Sequence, residues 1–522
     1  MAIAQQAERE HRFDDSLQML RSVVAAQPGH ASAWLRLSHA LQRENDYGGS
    51  LDACLRSASL VEGRPGAAAL LPHVTMRLLA FDQRTRILDL VRAADPRDPR
   101  ILGSAAVLAQ HLWLCGYFEP AREVVRAGLQ ANPDDPLLAH AEATVSRFMG
   151  REGEATEAYE RAIRLAPGFA DAHWALAYHQ PSAPRGARLP RIREALRQTC
   201  RGTLDHAQLC YAAFKENDAA GNTDEAWRCL HEGAATMRAL FPWFRDRESQ
   251  RVDGILSAAL SSREGGVPDT NRGNALVPVF VVGLPRTGTT LLERMLGNHP
   301  DVAACGELND FRQALCAVTG RFVSWPPDAR EFSKMTPDGW CRVGEEYLRR
   351  VAPLGTGAAV IVDKNPLNFD AAGLVARALP AARILCLERD PMDAGFSNLK
   401  ELFVGGGYGY SYDLQDIAAR VGDFHRLAKH WESTIGNRFM RVKYEDMVCQ
   451  PETTARAIIE FCGLEHREGV SRIVDNKAPV STASSSQVRE PIHARGIGAW
   501  RRYERQLAPL RESLARIGVK VN

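Results

Sequence analysis

One joint recurs through the first half of the chain. Ala26-Gln-Pro28-Gly-His, Ala94-Asp-Pro96-Arg-Asp, Ala131-Asn-Pro133-Asp-Asp and Leu165-Ala-Pro167-Gly-Phe share its pattern; Pro133 and Pro167 stand 34 residues apart, and Pro28 and Pro96 twice that. Between joints lie two amphipathic helical segments and a short turn, as in Ala33–Leu41, then Asn45-Asp-Tyr47, then Ser50–Leu55. A helix pair of this length cannot bury its apolar face alone. Stacked copies can, so the recurrence constrains the segment to a solenoid of helix pairs. The clearest copy runs from Gly150 to Pro167, a weaker pair occupies 207–237, and the signal extends from about residue 8 to 240.

These copies resemble the tetratricopeptide repeat. The resemblance implies an all-α solenoid, serving either as a scaffold or as a groove for a protein or peptide partner. At 522 residues the chain exceeds what one core holds. Residues 261–274 read Ser-Ser-Arg-Glu-Gly-Gly-Val-Pro-Asp-Thr-Asn-Arg-Gly-Asn, a linker composition without helical period. Beyond it, short apolar runs at Val277–Val282, Ala359–Val362, Ile384–Leu387 and Phe439–Val442 alternate with helical segments. Alternating βα units predict a parallel sheet with helices on both faces. The expected organisation is a helical repeat domain over 1–260, a linker over 261–275 and an α/β domain over 276–522.

The first strand of that domain leads into Gly283-Leu-Pro-Arg286-Thr287-Gly288-Thr289-Thr290. Its glycines have the spacing of a nucleotide P-loop, G-x-x-x-x-G-K-[ST], but Thr289 stands where the lysine belongs. A tight glycine turn followed by a helix N-terminus concentrates backbone N–H groups on a phosphate-sized anion. Thr289 and Thr290 add hydroxyls, and Arg286 adds a planar fork for an oxyanion. Four further clusters follow strands or lie in polar loops: Cys305-Gly306-Glu307; Asp363-Lys364-Asn365-Pro366; Glu388-Arg389-Asp390-Pro391 with Ser397; and Ser481–Pro491, which contains Ser484, Gln487 and Arg489.

Together these motifs resemble the sulfotransferase family that uses 3′-phosphoadenosine 5′-phosphosulfate, and within it the tyrosylprotein sulfotransferases and bacterial relatives with tetratricopeptide repeats. The resemblance covers about Val277 to Tyr503. It implies a P-loop-like sulfotransferase fold in which Arg286, Thr287, Gly288, Thr289 and Thr290 hold the 5′-phosphosulfate, and Arg389 with Ser397 the 3′-phosphate. It places Tyr444 and the loop from Ser484 through Gln487 to His493 against the cofactor. Glu307, 21 residues after Arg286, matches the catalytic base. Lys364 matches the lysine beside the bridging oxygen, and Ser484 a serine that assists it. Two departures stand out: Asp310 lies near where the animal enzymes place basic residues that read acidic peptides, and Ala499 replaces a lysine for which Arg495, Arg501 or Arg502 could substitute.

The chemistry suits these residue types. Sulfuryl transfer needs a base for the acceptor hydroxyl and positive charge for the departing phosphate. A sulfuryl group carries less negative charge than a phosphoryl group, so no metal is expected. Each residue also has a plainer reading: Glu307 as a helix cap, Lys364 as a solvated loop cation, Arg389 with Asp390 as a surface ion pair, the Ser484 segment as a flexible loop. His299, before Pro300, reads as structural. The resemblance implies an acceptor hydroxyl on a protein tyrosine, saccharide, lipid or small molecule. A P-loop kinase or NTPase is the first alternative, weakened by Thr289, and a non-catalytic repeat adaptor the second.

Composition narrows the field. The net charge of +2 gives no footprint for nucleic acid. Eleven cysteines, odd in number and without a C-x-x-C pair, suit a reducing compartment rather than disulfides or zinc. Neither a signal peptide nor an 18-residue apolar run is visible, so a cytoplasmic location without a transmembrane segment is expected.

Overall fold

The structure is a computed structural model that describes residues 6, 10–179, 185–258, 276–482, 485 and 487–521. The expected linker therefore lies outside the described residues. The chain forms two compact units, one of Met1–Leu165 with Asn309–Val323, the other of Ala166–Leu308 with Ser324–Asn522. The limits read from sequence follow the change of periodicity; compactness groups the chain differently.

The first unit is built of antiparallel helix pairs, among them Ala31–Arg43 with Tyr47–Val61 and Pro136–Phe148 with Glu152–Leu165. The recurring joints supply the caps. Asp135 accepts from the N–H groups of Leu137 and Leu138, at 2.8 and 3.3 Å, just before Pro136 opens a helix. Small residues at the crossings, such as Ala33, Ala53, Ala139 and Ala158, are almost fully buried. The helix Asp310–Thr319 belongs to this unit. Gln313 accepts from the Tyr47 hydroxyl at 3.0 Å, and Asp310, 2% exposed, pairs with Arg84 at 2.5 Å. The Tyr47, Phe81 and Phe322 rings meet nearby with centroids 5.3 to 5.8 Å apart.

The second unit begins with more repeat helices, including α1 (Ala170–His179) and α2 (Leu204–Ala220). Its sheet comprises β1 (Val277–Gly283), β2 (Val302–Ala304), β3 (Val360–Lys364), β4 (Arg383–Glu388) and β5 (Phe439–Lys443), all parallel, in the order β2-β3-β1-β4-β5. The helix α3 (Thr289–Leu296) follows β1, and α4 (Pro391–Leu399) follows β4. Val279, Val281, Val362, Leu385 and Leu387 face one core with Leu292 and Leu296, while Phe280 packs on Tyr347 on the other side. Burial on both faces explains the unbroken apolar runs of these strands. The short edge strand β2 was not among the strand expectations, because three residues carry no periodicity.

Side chains tie the helix Arg245–Ser257 to the sheet region. Buried Asp370 accepts from Arg251 at 2.6 Å and Arg420 at 2.9 Å, and the two guanidinium groups hold its carboxyl below the usual range despite burial. Among the described residues no helix is long and apolar enough to cross a membrane.

Candidate active site

The loop after β1 folds as it does because of close approaches. Gly283 faces Leu387 of β4, whose carbonyl oxygen would lie 2.7 Å from any added Cβ. Gly288 has φ +103°, and a Cβ there would meet the Tyr444 ring at 2.7 Å. Arg286 itself adopts the left-handed region at φ +65°, an unfavourable conformation for a non-glycine residue. The surroundings hold it there. Thr287 donates to the Leu284 carbonyl at 2.7 Å, Asn398 of α4 to that of Pro285 at 2.8 Å, and Arg389 to that of Arg286 at 3.0 Å. The turn thus delivers the first N–H groups of α3 and the hydroxyls of Thr289 and Thr290 to a cleft of about 800 Å³.

Glu307 opens onto the same cleft. Its carboxylate accepts from the Lys364 ammonium at 2.6 Å; Lys364 ends β3 and is fully buried, whereas the Glu307 side chain is 46% exposed. Lys364 stands behind Glu307 rather than in the cleft wall, so it is no solvated loop cation. Burial opposes its charge, but Glu307, Glu293 and Asp363 outweigh that and raise its pKa. Glu293, on α3, is buried and accepts from the Gly306 N–H at 2.7 Å; burial pushes its carboxyl up, with Lys364 and Gly306 restraining the rise. Glu307 caps no helix: Asn309 holds the N-cap of Asp310–Thr319.

Arg389 follows β4 and does not pair with Asp390. It lies over the Tyr444 ring at 4.4 Å and donates to the Gly496 carbonyl at 2.5 Å, which joins the β1 loop to the C-terminal segment. Asp390 instead caps α4 through the N–H groups of Met392 and Asp393. Ser397, buried on α4, lines the cleft with Arg286, Thr289, Thr290, Glu307 and Arg389. Asp393 fixes the C-terminal segment by accepting from the N–H groups of Gly498 and Trp500, at 2.6 and 3.2 Å.

Ser484 lies outside the described residues. Gln487 opens the short 3₁₀ turn Gln487–Arg489, and Thr482 comes within 3.4 Å of the Thr290 hydroxyl. Arg294 anchors that approach by donating to the Asn476 and Ala478 carbonyls. Arg495 and Arg502 line the cleft beside Ala499, while Arg501 lies over the Trp500 ring. Asp310 is committed to Arg84 in the first unit. His299 is structural: Nε2 lies 2.9 Å from the Glu465 carbonyl, and Nδ1 accepts from the Asp301 N–H.

Glu293 and Lys400 escaped the sequence reading, as did Lys215 on α2. Their only signal was charge within otherwise apolar helical stretches, which usually marks a solvated face. Away from the cleft, His206, Cys210 and Glu232 bring three ligand-type atoms within 4.8 Å of one another, with burial pushing the Cys210 thiol up to about 12.

Residues 278–468 match the model of the sulfotransferase family. An uncharacterized protein of Aquifex aeolicus is 35% identical over 246 residues, 45% of this chain and 32% of its own length. The protein-tyrosine sulfotransferase of Drosophila melanogaster is 25% identical over 42% of this chain and 46% of its own length, and protein-tyrosine sulfotransferase 2 of Gallus gallus is 24% identical over 42% and 62%. The chain thus spans less than two thirds of each of these relatives. The sulfotransferase domain of the Synechococcus PCC 7002 olefin synthase superimposes with a TM-score of 0.32 at 19% identity, over 48% of this chain and 98% of that one, too loosely to argue from.

Proposed function

We propose that this chain transfers a sulfuryl group from 3′-phosphoadenosine 5′-phosphosulfate to an acceptor hydroxyl, with Glu307 as general base. The observation that carries the reading is the 2.6 Å pair of Glu307 with fully buried Lys364, set in one cleft with the β1 loop and with Arg389 and Ser397. The cleft volume suits a nucleotide. Its two adjoining cationic groups, the loop with Arg286 and the Arg389–Ser397 corner, suit a ligand with two anionic groups. When bound, the donor supplies a sulfuryl group attached to a good phosphate leaving group.

In this reading Arg286, Thr287, Gly288, Thr289 and Thr290 hold the 5′ end, and Arg389, Ser397 and Tyr444 the 3′ end. Glu307 takes the acceptor proton as the hydroxyl oxygen attacks sulfur; the sulfur–oxygen bond to the phosphate breaks, and its electron pair leaves with that oxygen. Protonation of Glu307 loosens its hold on Lys364. The ammonium then turns toward the charge growing on the leaving oxygen, alongside Arg286. Base and electrophile are so coupled that each is freed as the other acts. Ser484 would assist Lys364.

On the Glu307 side of the cleft Phe403 and Tyr408 stack, centroids 4.5 Å apart, and the Glu307 charge adds to burial in raising the Tyr408 hydroxyl. They offer the acceptor an aromatic platform. The acceptor class is a protein tyrosine, saccharide, lipid or small metabolite, and the repeat helices are a candidate docking surface for a protein partner. The test is a turnover assay with labelled sulfate donor across these acceptor classes, run with and without a chelator. Transfer that survives chelation supports the reading; binding of ATP in place of 3′-phosphoadenosine 5′-phosphate sinks it.

A further inference from the structure

We infer that the repeat helices complete the donor pocket: Lys215 of α2, acting with Lys400 just beyond α4, binds the 3′-phosphate. The inference rests on the donor assignment above and adds a ligand from outside the family segment, which begins at residue 278.

The placement is specific. Lys400 follows Ser397 by one helical turn, at the C-cap of α4, and lines the cleft with Ser397 and Arg389. Lys215 reaches the same cleft from α2. The end of α4 is held by the repeat helices themselves. Tyr178 of α1 donates to the Lys400 carbonyl at 2.5 Å, and Tyr211 of α2 to the Leu399 carbonyl at 2.9 Å. Last-turn carbonyls otherwise need water or a cap, so these two tyrosines, Tyr211 fully buried, fix where the Lys400 side chain starts.

The charge balance asks for an anion. Lys215 lies 5.4 Å from the Tyr178 ring centroid and Lys400 5.0 Å from that of Phe396. Among the described residues neither ammonium has a carboxylate within ion-pair distance. The nearby acids are engaged: Asp218 accepts from Tyr503 at 2.7 Å and pairs with Arg502 at 2.9 Å, and Glu401 pairs with Arg286 at 3.5 Å. Enclosure pushes both lysines down, Lys400 to about 7; Lys215, Arg286 and Arg389 add repulsion at Lys400 against Asp218, while at Lys215 Asp218 and Glu401 oppose the shift and Arg286 adds to it. A protein that keeps two enclosed, unpaired cations bears a stability cost, which a bound dianion offsets. The corner that already holds Arg389 and Ser397 takes the 3′-phosphate in the donor reading, and Lys400, one helical turn beyond Ser397, carries the lysine pair to it.

The test uses the full chain and calorimetric titration with two ligands, 3′-phosphoadenosine 5′-phosphate and adenosine 5′-phosphate, which lacks the 3′ group. For Lys215→Met the affinity for the bisphosphate should fall about 10- to 100-fold, as for loss of a charge-assisted contact, while that for the monophosphate changes less than about twofold. Lys215→Arg should retain most of the affinity. The ligand-free melting temperature of Lys215→Met should equal or exceed that of the wild type, since an enclosed cation is gone; a merely structural lysine would lower it. Equal losses for both ligands, or none for either, overturn the inference. Should Lys215→Met not fold, Lys400→Met gives the same readout, with the loss again confined to the bisphosphate. If the wild type itself ignores the bisphosphate, the donor assignment falls first and takes the inference with it.

Discussion

The two compact units treat charge in opposite ways. In the unit of Met1–Leu165 with Asn309–Val323, most charged groups pair close in sequence and near the surface, as Arg12 does with Asp15 and Arg151 with Glu154. Its buried polar groups are mainly hydroxyls with a partner at hand, such as Ser38 and Ser50. Around the cleft of the other unit, cations come together from elements far apart in the chain: Arg286, Arg389 and Lys400 line it, and Lys364 is buried behind Glu307. The first arrangement is one of stability, the second of readiness for an anion. Substitutions should therefore separate cleanly: cleft changes move turnover or donor affinity, helical-unit changes move melting temperature.

The sharpest break of that contrast is Glu307→Gln. Turnover should fall by about 10²- to 10⁴-fold, the range for a lost general base, while 3′-phosphoadenosine 5′-phosphate still binds within about threefold by calorimetry. Full activity would remove Glu307 from its role. Next, Lys364→Met should reduce turnover by about 10²- to 10³-fold, as for one lost transition-state donor, with single-turnover assays locating the loss in the transfer step.

A backbone test follows. Gly288→Ala forces a Cβ toward Tyr444 at a left-handed φ, and such strain of roughly 1–3 kcal/mol should weaken donor binding about tenfold. In the other unit, Asp135→Ala should cost about 1 kcal/mol of stability in thermal melts and leave turnover unchanged; a drop in turnover would blur the distinction.

The smallest effect is in pH. Lys400 is charged below about pH 7 and neutral above it. A phosphate favours the charged form, so donor affinity should fall a few-fold between about pH 7 and 9, and binding near neutrality should take up part of a proton. The phosphate is already doubly charged there, so its own titration does not mask the trend. Titrations in two buffers of different ionisation enthalpy check it, and Lys400→Arg should flatten the profile.

Much of this was legible in the sequence where the physics is local. The joints gave the helix pairs, because caps such as Asp135 act within three residues. The loop from Gly283 to Thr290 was legible for the same reason: its glycines answer steric demands that no other residue meets. That Arg286, Glu307, Arg389 and Ser397 would share a cleft followed only from the resemblance. Glu293 and Lys215 were invisible, since a charged residue on a helix normally points to water and only tertiary packing turned these inward. Asp310 misled in the opposite direction. Its position suggested the acceptor side, yet it pairs with Arg84, 226 positions earlier in the chain, a partner no local pattern announces.

The segment Asn309–Val323 carries a practical consequence. It begins two positions after Glu307, yet its apolar side chains Phe311, Leu315 and Cys316 are buried in the helical unit. A chain trimmed to start at residue 276, the natural cut by sequence pattern, would strip that cover. It would also strand the Asp310 carboxylate without Arg84, a loss of roughly 3–5 kcal/mol for a buried pair broken on one side. Such a fragment should aggregate or be clipped by proteases just downstream of Glu307, so the region from residue 276 onward is not a separable cassette: its repeats must travel with it.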